Sequence, residues 1–436
     1  MMSSPPGHPS PGRKVTFVFA TVALVLLSVD FLAGIAGWLV VRKREYSPGL
    51  LTHAEAAGHP YRSYISRPGQ KFWDIGMGRG TVSGLQLDFG LIPGGVVVDQ
   101  YGHQVLPADV DVHARAKETG EYRILFLGGS TTFQTWSFFV EEALMQAGVP
   151  GKITIINAGT GGYTSQENIV DLTVCGFAYD PDLVVAYLPV NDVGYAAHWP
   201  GFKRDYTHMR TPLEVVSPVA PPPDKIREYP FTLKLYDVLA YNRRLDRYLM
   251  AANLTYKTTH QPDPMVSGHI IDDVDFDQTT QAVIDNVFDM KALCEARGVK
   301  FLLLTQKMFK IDNPYMSVIY ARTLECSERI RASERLRGLW VRDMQEAIPD
   351  GWDMAATAKV RAAFPRRTVD FDQPLTYDDM HFTPGGLFLF AAVVAEEIRP
   401  VIEAKRAATS SKRPMQRESG TKSPAPSPEV SSALPG

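Results

Sequence analysis

"RILFLGGSTTFQ", residues 123–134, runs from strand-like residues into two glycines, a serine, two threonines and the start of a helical pattern. Ile124, Leu125, Phe126 and Leu127 are consecutively apolar, as in a strand buried on both faces. Gly128 and Gly129 keep the backbone thin where that strand ends, which lets the chain turn sharply and leaves Ser130 open to approach. A tight turn with no chemistry would use the same three residues. The two readings part on whether the rest of the chain supplies partners for Ser130.

Outward from this stretch, strands alternate with helices. A helix covers TTFQTWSFFVEEALMQAG and ends at Gly148; the strand KITIIN follows, then a helix over about 165–176 and the strand DLVVAYL at 182–188. That order predicts a parallel sheet covered on both faces. Residues 193–275 break the alternation with a Pro-rich bend, SPVAPPPDK, a helical piece and polar loop, and read as an insertion. The pattern resumes with a helix over about 279–297, the strand VKFLLLTQ and a helix over about 315–335. Short strand candidates LWVRD and TVDFD come next. A last helix over about 384–407 carries Pro400 as a kink or break. Residues 45–120 form an N-terminal extension, irregular apart from two short strand candidates at GLQLDF and GGVVVD.

Length and composition set outer bounds. The 436 residues, 45% hydrophobic, suffice for one large or two ordinary domains, and a net charge of −3 gives no basis for binding nucleic acid. Cys175, Cys294 and Cys326 lie far apart without a CxxC pair and read as buried helix residues, with one disulfide open in an oxidising compartment. Residues 1–14 form a short arm. From Val15 to Val41 the chain is apolar apart from a few Thr and Ser and one charge, Asp30, before Arg42-Lys43-Arg44. A span needs ~20 apolar residues, so 15–41 is expected to be a transmembrane anchor; a buried core helix and a cleaved signal peptide are the alternatives. The arm is then expected in the cytoplasm and the main domain on the periplasmic or extracellular side. Residues 408–436, rich in Ser, Pro, Lys and Glu, read as a disordered tail.

Three further segments fall just past the ends of strands or before the last helix: NAGTGGYTS at 157–165, LPVNDV at 188–193 and YDDMHFTPGG at 377–386. Each alone has a plain reading as a strand-to-helix turn, a helix cap or a solvated loop. Together they supply what a nucleophilic serine lacks. A hydroxyl needs a base, for which histidine suits neutral pH, and the histidine needs a carboxylate to fix its tautomer. His381 and Asp378, three residues apart, meet both needs. The Ser130 N–H, the Gly162 N–H and the Asn191 side-chain amide form a candidate oxyanion hole. No HExxH occurs and the histidines are scattered, so neither a metal nor a cofactor is expected.

Residue types, order and spacing resemble the SGNH (GDSL-type) hydrolase superfamily, whose four blocks contribute Ser, Gly, Asn and His. Ser130 matches the first, Gly162 in Asn-x-Gly-x-x-Gly the second, Asn191 the third and Asp378-x-x-His381 the fourth. The match covers roughly residues 121–404 of a hydrolase domain placed at 121–407. Gly-Gly-Ser stands where Gly-Asp-Ser is common, and Pro189-Val190-Asn191-Asp192 where Gly-x-Asn-Asp is usual. The resemblance implies an α/β fold, a flavodoxin-like three-layer α/β/α sandwich with a five-stranded parallel sheet. It also implies cleavage of carboxylic esters through an acyl-enzyme. With the expected anchor, the substrate would be an ester, including an acylated glycan or lipid. Two other functions stay open: O-acyl transfer to, or deacetylation of, a surface polysaccharide with the same residues, and a non-catalytic role in surface assembly, against which the full set of catalytic residues argues.

Overall fold

The computed structural model describes residue 92 and residues 94–198, 203, 204, 206, 274–310 and 314–411, with short pieces nearer the N-terminus. Strands β1 (Val97–Val98), β2 (Gln104–Val105), β3 (Tyr122–Gly128), β4 (Ile153–Asn157), β5 (Leu183–Leu188), β6 (Lys300–Thr305) and β7 (Trp340–Asp343) make one sheet in the order β7-β6-β5-β3-β4-β2-β1. The strands β7, β6, β5, β3 and β4 pair in parallel, whereas β2 runs antiparallel to β4 and β1 antiparallel to β2. The expected five-stranded, all-parallel flavodoxin-like sandwich is therefore corrected to a seven-stranded mixed sheet.

The two added strands come from the N-terminal extension: β1 falls within the strand candidate GGVVVD, whereas β2 lies where no strand was expected. Each is two residues long, too short for an alternating pattern to register. Buried polar chemistry holds them instead. His103 Nε2 lies 2.9 Å from both carboxylate oxygens of Asp171, and its Nδ1 is 2.8 Å from the Tyr179 hydroxyl, which donates to Asp99. Asp99 in turn accepts from the backbone of Tyr101 and His103, closing the hairpin on itself.

Helices α1 (Ser130–Phe133), α2 (Trp136–Gln146), α3 (Ser165–Val174), α4 (Val190–His198), α5 (Phe276–Ala296), α6 (Pro314–Ala332), α7 (Met344–Ala347), α8 (Met354–Ala363) and α9 (Pro384–Ser411) link and cover the strands. Ile124 and Phe126 join the core on one side of the sheet, with Trp136, Phe139, Phe388 and Phe390 of α2 and α9. Leu125 and Leu127 join the other, with Leu172, Val193, Val287 and Ile319 of α3, α4, α5 and α6. Both sets of alternate residues are buried, which is why the central strand reads as an unbroken apolar run.

Local differences have identifiable causes. The helix expected after Ser130 is two, because Gln134 leaves helical geometry at φ −58° and ψ 151°. Helix α9 continues through Pro400. TVDFD is not a strand, and α7 and α8 arise in a stretch with no predicted element. The three cysteines are buried and unbridged.

The expected transmembrane anchor at 15–41 is also corrected: among the described residues no helix is long and apolar enough to cross a membrane. Helical pieces between Thr21 and Leu32 belong to that stretch, and its remaining residues lie outside the described ones. The membrane as a partner, the cytoplasmic arm and the periplasmic or extracellular placement all rested on that span and go with it. An acylated surface glycan or lipid as substrate loses its basis as well. Most of the 193–275 insertion and the tail beyond Ser411 also lie outside the described residues.

Candidate active site

Strand β3 ends in Gly128, and Ser130 opens α1 at the carboxyl edge of the sheet. Both glycines before the serine are required by crowding. A Cβ on Gly128 would sit 3.0 Å from the Tyr187 carbonyl and overlap Thr132; one on Gly129 would overlap Asn191 Nδ2 and sit 3.2 Å from the Tyr163 carbonyl. The space that lets Ser130 be approached is thus also the space that admits the Asn191 amide.

The chain returns to Ser130 from far along the sequence. His381 Nε2 lies 2.9 Å from Ser130 Oγ, and His381 Nδ1 lies 2.7 Å from Asp378 Oδ2. An ionised carboxylate only accepts, so the Nδ1 hydrogen faces Asp378 and the Nε2 lone pair faces Ser130. The Met380 and His381 N–H groups donate to Asp378 Oδ1 at 2.8 and 2.7 Å, folding the loop so that residues three apart face each other. Burial raises the Asp378 pKa, but the hydrogen bond and charge of His381 and these two N–H groups outweigh it and hold the carboxyl below its usual value.

Gly162 lies in the turn between β4 and α3 at φ 73°, a left-handed conformation that suits glycine. The next carbonyl, Tyr163, accepts from Asn191 Nδ2 at 2.8 Å, and the Thr160 N–H donates to the Gly128 carbonyl at 3.1 Å. These bonds seat the Gly162 turn against Gly129. Asn191 stands in the first turn of α4. Its amide carries two hydrogens, so donation to Tyr163 leaves a second for an oxyanion. As the first residue of α1, Ser130 has an N–H without an acceptor inside its own helix. Ser130, Asp378, His381 and Asn191 are therefore brought together, with Gly162 in the adjoining turn.

Asp192, next to Asn191, has a different task. It is fully buried and accepts from the Ser165 N–H at 3.0 Å, the Ser165 hydroxyl at 2.6 Å and the Tyr206 hydroxyl at 2.6 Å. Burial pushes its carboxyl up to about 6 despite those donors. It ties α4 to the start of α3 and to Tyr206 in the insertion.

Two residues escaped the sequence reading. Asn157 Nδ2 donates to the Thr132 carbonyl at 2.9 Å while its Oδ1 accepts from the Gly159 N–H at 2.9 Å, joining the first two turns. Gln134 Nε2 donates to the Phe382 carbonyl at 3.0 Å, and its Oε1 accepts from the Phe382 N–H at 3.1 Å. Asn157 opens the second motif and was legible at least as a position; Gln134 had no signal beyond closing the first stretch.

No family model and no curated protein matches the chain. Solved structures do. One is a gut microbial diltiazem-metabolizing enzyme, at 16% identity and TM-score 0.35, covering 65% of this chain; the match spans 48% of that enzyme's length, about half. A GDSL-like lipase from Bacteroides thetaiotaomicron matches at 13% identity and TM-score 0.35, over 68% of this chain and 95% of the lipase. An acetylxylan esterase from Geobacillus stearothermophilus matches at 15% identity and TM-score 0.33, over 64% of this chain and 94% of the esterase. At TM-scores below 0.5 these similarities carry no functional argument.

Proposed function

We propose that the chain is a serine hydrolase that cleaves carboxylic esters through an acyl-enzyme. The observation that carries this is the unbroken relay from Ser130 Oγ through His381, 2.9 Å away, to Asp378, 2.7 Å from the other ring nitrogen. Nothing in that relay serves packing alone: it consists of a hydroxyl, an imidazole and an ionised carboxylate in the order that nucleophilic catalysis requires.

In this mechanism Ser130 Oγ attacks the ester carbonyl carbon while His381 Nε2 takes the hydroxyl proton. The carbonyl oxygen becomes an oxyanion, which the Ser130 N–H, the Gly162 N–H and the Asn191 amide stabilise. Asp378 holds the Nδ1 hydrogen and stabilises the imidazolium. His381 then gives its proton to the departing alcohol, leaving Ser130 acylated. Water, deprotonated by the same Nε2, attacks the acyl carbon; the acid leaves and Ser130 recovers its proton.

The test is a panel of p-nitrophenyl esters, acetyl to long-chain, together with a fluorophosphonate probe. The wild type should turn over at least one ester and be labelled on Ser130, and Ser130→Ala should do neither while keeping its fold. A folded wild-type protein that is neither labelled nor active on any ester would remove the reading.

A further inference from the structure

On the serine hydrolase reading, we infer that Gln134 is a positioning residue that holds His381 in reach of Ser130. Its side chain makes both hydrogen bonds a peptide group can make, donating from Nε2 to the Phe382 carbonyl at 3.0 Å and accepting at Oε1 from the Phe382 N–H at 3.1 Å. Phe382 follows His381 directly. Gln134 itself lies four residues after Ser130, on the same short excursion from β3, and its side chain is 1% exposed. The nucleophile's segment therefore grips the base's segment by a paired amide contact across 248 positions of sequence.

The backbone at Gln134 is shaped for this grip. Helix α1 stops at Phe133, Gln134 turns to ψ 151°, and α2 starts only at Trp136. A helix running through position 134 would keep the side chain on the helix surface. From the other side, Asn157 Nδ2 donates to the Thr132 carbonyl at 2.9 Å, so the break is pinned to β4. Phe382 is fully buried against Phe309 and Phe390, at ring distances of 6.0 and 5.0 Å. Those contacts fix the depth of the His381 loop. An apolar ring can still slide along its neighbours, whereas two opposed hydrogen bonds on one peptide fix direction and register. Ser130 Oγ and His381 Nε2 must stay near 2.9 Å for proton transfer, and beside that contact the Gln134 clamp ties their two segments together.

Gln134→Met keeps the volume and deletes both bonds; Gln134→Glu keeps the acceptor but, ionised, sets its second oxygen against the Phe382 carbonyl. With each variant confirmed folded by circular dichroism, kcat on the best ester should fall on the order of 10- to 100-fold for Gln134→Met, with KM changed less than about twofold. Gln134→Glu should lose at least as much, because its ionised carboxylate repels the Phe382 carbonyl, and fluorophosphonate labelling should slow in the same order. A residue that only supports the fold would lower the melting temperature and leave kcat and labelling of the folded enzyme at wild-type values, and that result overturns the inference. So does failure of both variants to fold. Ser130→Ala, run alongside, separates this from the underlying reading. If it keeps wild-type esterase activity, the serine mechanism itself is wrong; if it is inactive while Gln134→Met is unimpaired, only the role of Gln134 falls.

Discussion

Asp378 Oδ2 lies 2.7 Å from His381 Nδ1, while the adjacent Asp379 has a buried oxygen, Oδ2, with no hydrogen-bond partner among the described residues. Two neighbouring carboxylates, equivalent in the sequence, thus do different things. Asp378→Asn should cost about 10³–10⁴-fold in kcat, because an amide presents the wrong hydrogen to Nδ1 and favours the wrong tautomer. Asp379→Asn should stay within tenfold, roughly one pKa unit's worth of transition-state energy or less. Steady-state kinetics on one ester decides between them, and a reversed ranking would reassign the carboxylate.

Asp379 should instead be visible in stability against pH. Burial, followed by the charge of Asp378, pushes its carboxyl up from 3.8 to about 6. Between those values the folded chain holds a proton that the unfolded chain has released. The stabilisation is full below about pH 4 and is lost as pH rises through about 6. From pH 5 to pH 8 this one group removes about 1.4 kcal/mol. Asp379→Asn should flatten the decline by about that amount in urea unfolding at the two pH values. Asp192, raised to about 6, and Glu141, raised to about 7 mainly by burial, slope the same way and remain in the variant. An unchanged slope in Asp379→Asn would mean that water reaches its carboxyl.

Asn191 should behave as an oxyanion donor. Its Nδ2 is held by the Tyr163 carbonyl at 2.8 Å, so the amide is oriented before any substrate arrives. Removing such a donor costs about 10²–10³-fold in kcat. Asn191→Ala should show that loss with KM little changed, and a loss below about tenfold would show that the second amide hydrogen points elsewhere.

How far the sequence carries can be read from particular residues. The consecutive apolar positions of β3, β5 and β6 were legible because strands buried on both faces leave a continuous run. Ser130, Gly162, Asn191, Asp378 and His381 were legible because each sits beside glycines or acids in a short motif of fixed order. Strand β1 falls within the candidate GGVVVD, but β2 and the hairpin that the two strands form were not legible. Two-residue strands have no period, and what secures them is His103 bonded to Asp171 and Tyr179, residues more than sixty positions away. Gln134 was hidden for the same reason, since its partner Phe382 is distant and glutamine has no pattern of its own. The expected anchor failed differently: an apolar run meets the length needed for a span, yet among the described residues no helix long and apolar enough is formed.

The glycines of the first two turns provide the last prediction, because the same substitution should act in opposite ways at two of them. At Gly159 a Cβ would lie 2.6 Å from the Phe133 nitrogen and from the Thr132 carbonyl carbon, backbone atoms that cannot step aside. Gly159→Ala should therefore destabilise by about 1–3 kcal/mol, as overpacking against a fixed wall does. At Gly129 the worst obstacle is the end of the Asn191 side chain, which can rotate away; the Tyr163 carbonyl at 3.2 Å need give only a few tenths of an ångström, and φ is −92°, open to any residue. Gly129→Ala should cost less stability and more activity. By displacing the Asn191 amide it should lower kcat to about the level of Asn191→Ala, on the order of 10²-fold. The double variant Gly129→Ala/Asn191→Ala should then be scarcely slower than Asn191→Ala alone, because both changes remove one interaction. Losses that multiply in the double variant would show that the new methyl group blocks the substrate itself, and that Gly129 is kept small for the ester and not for the amide.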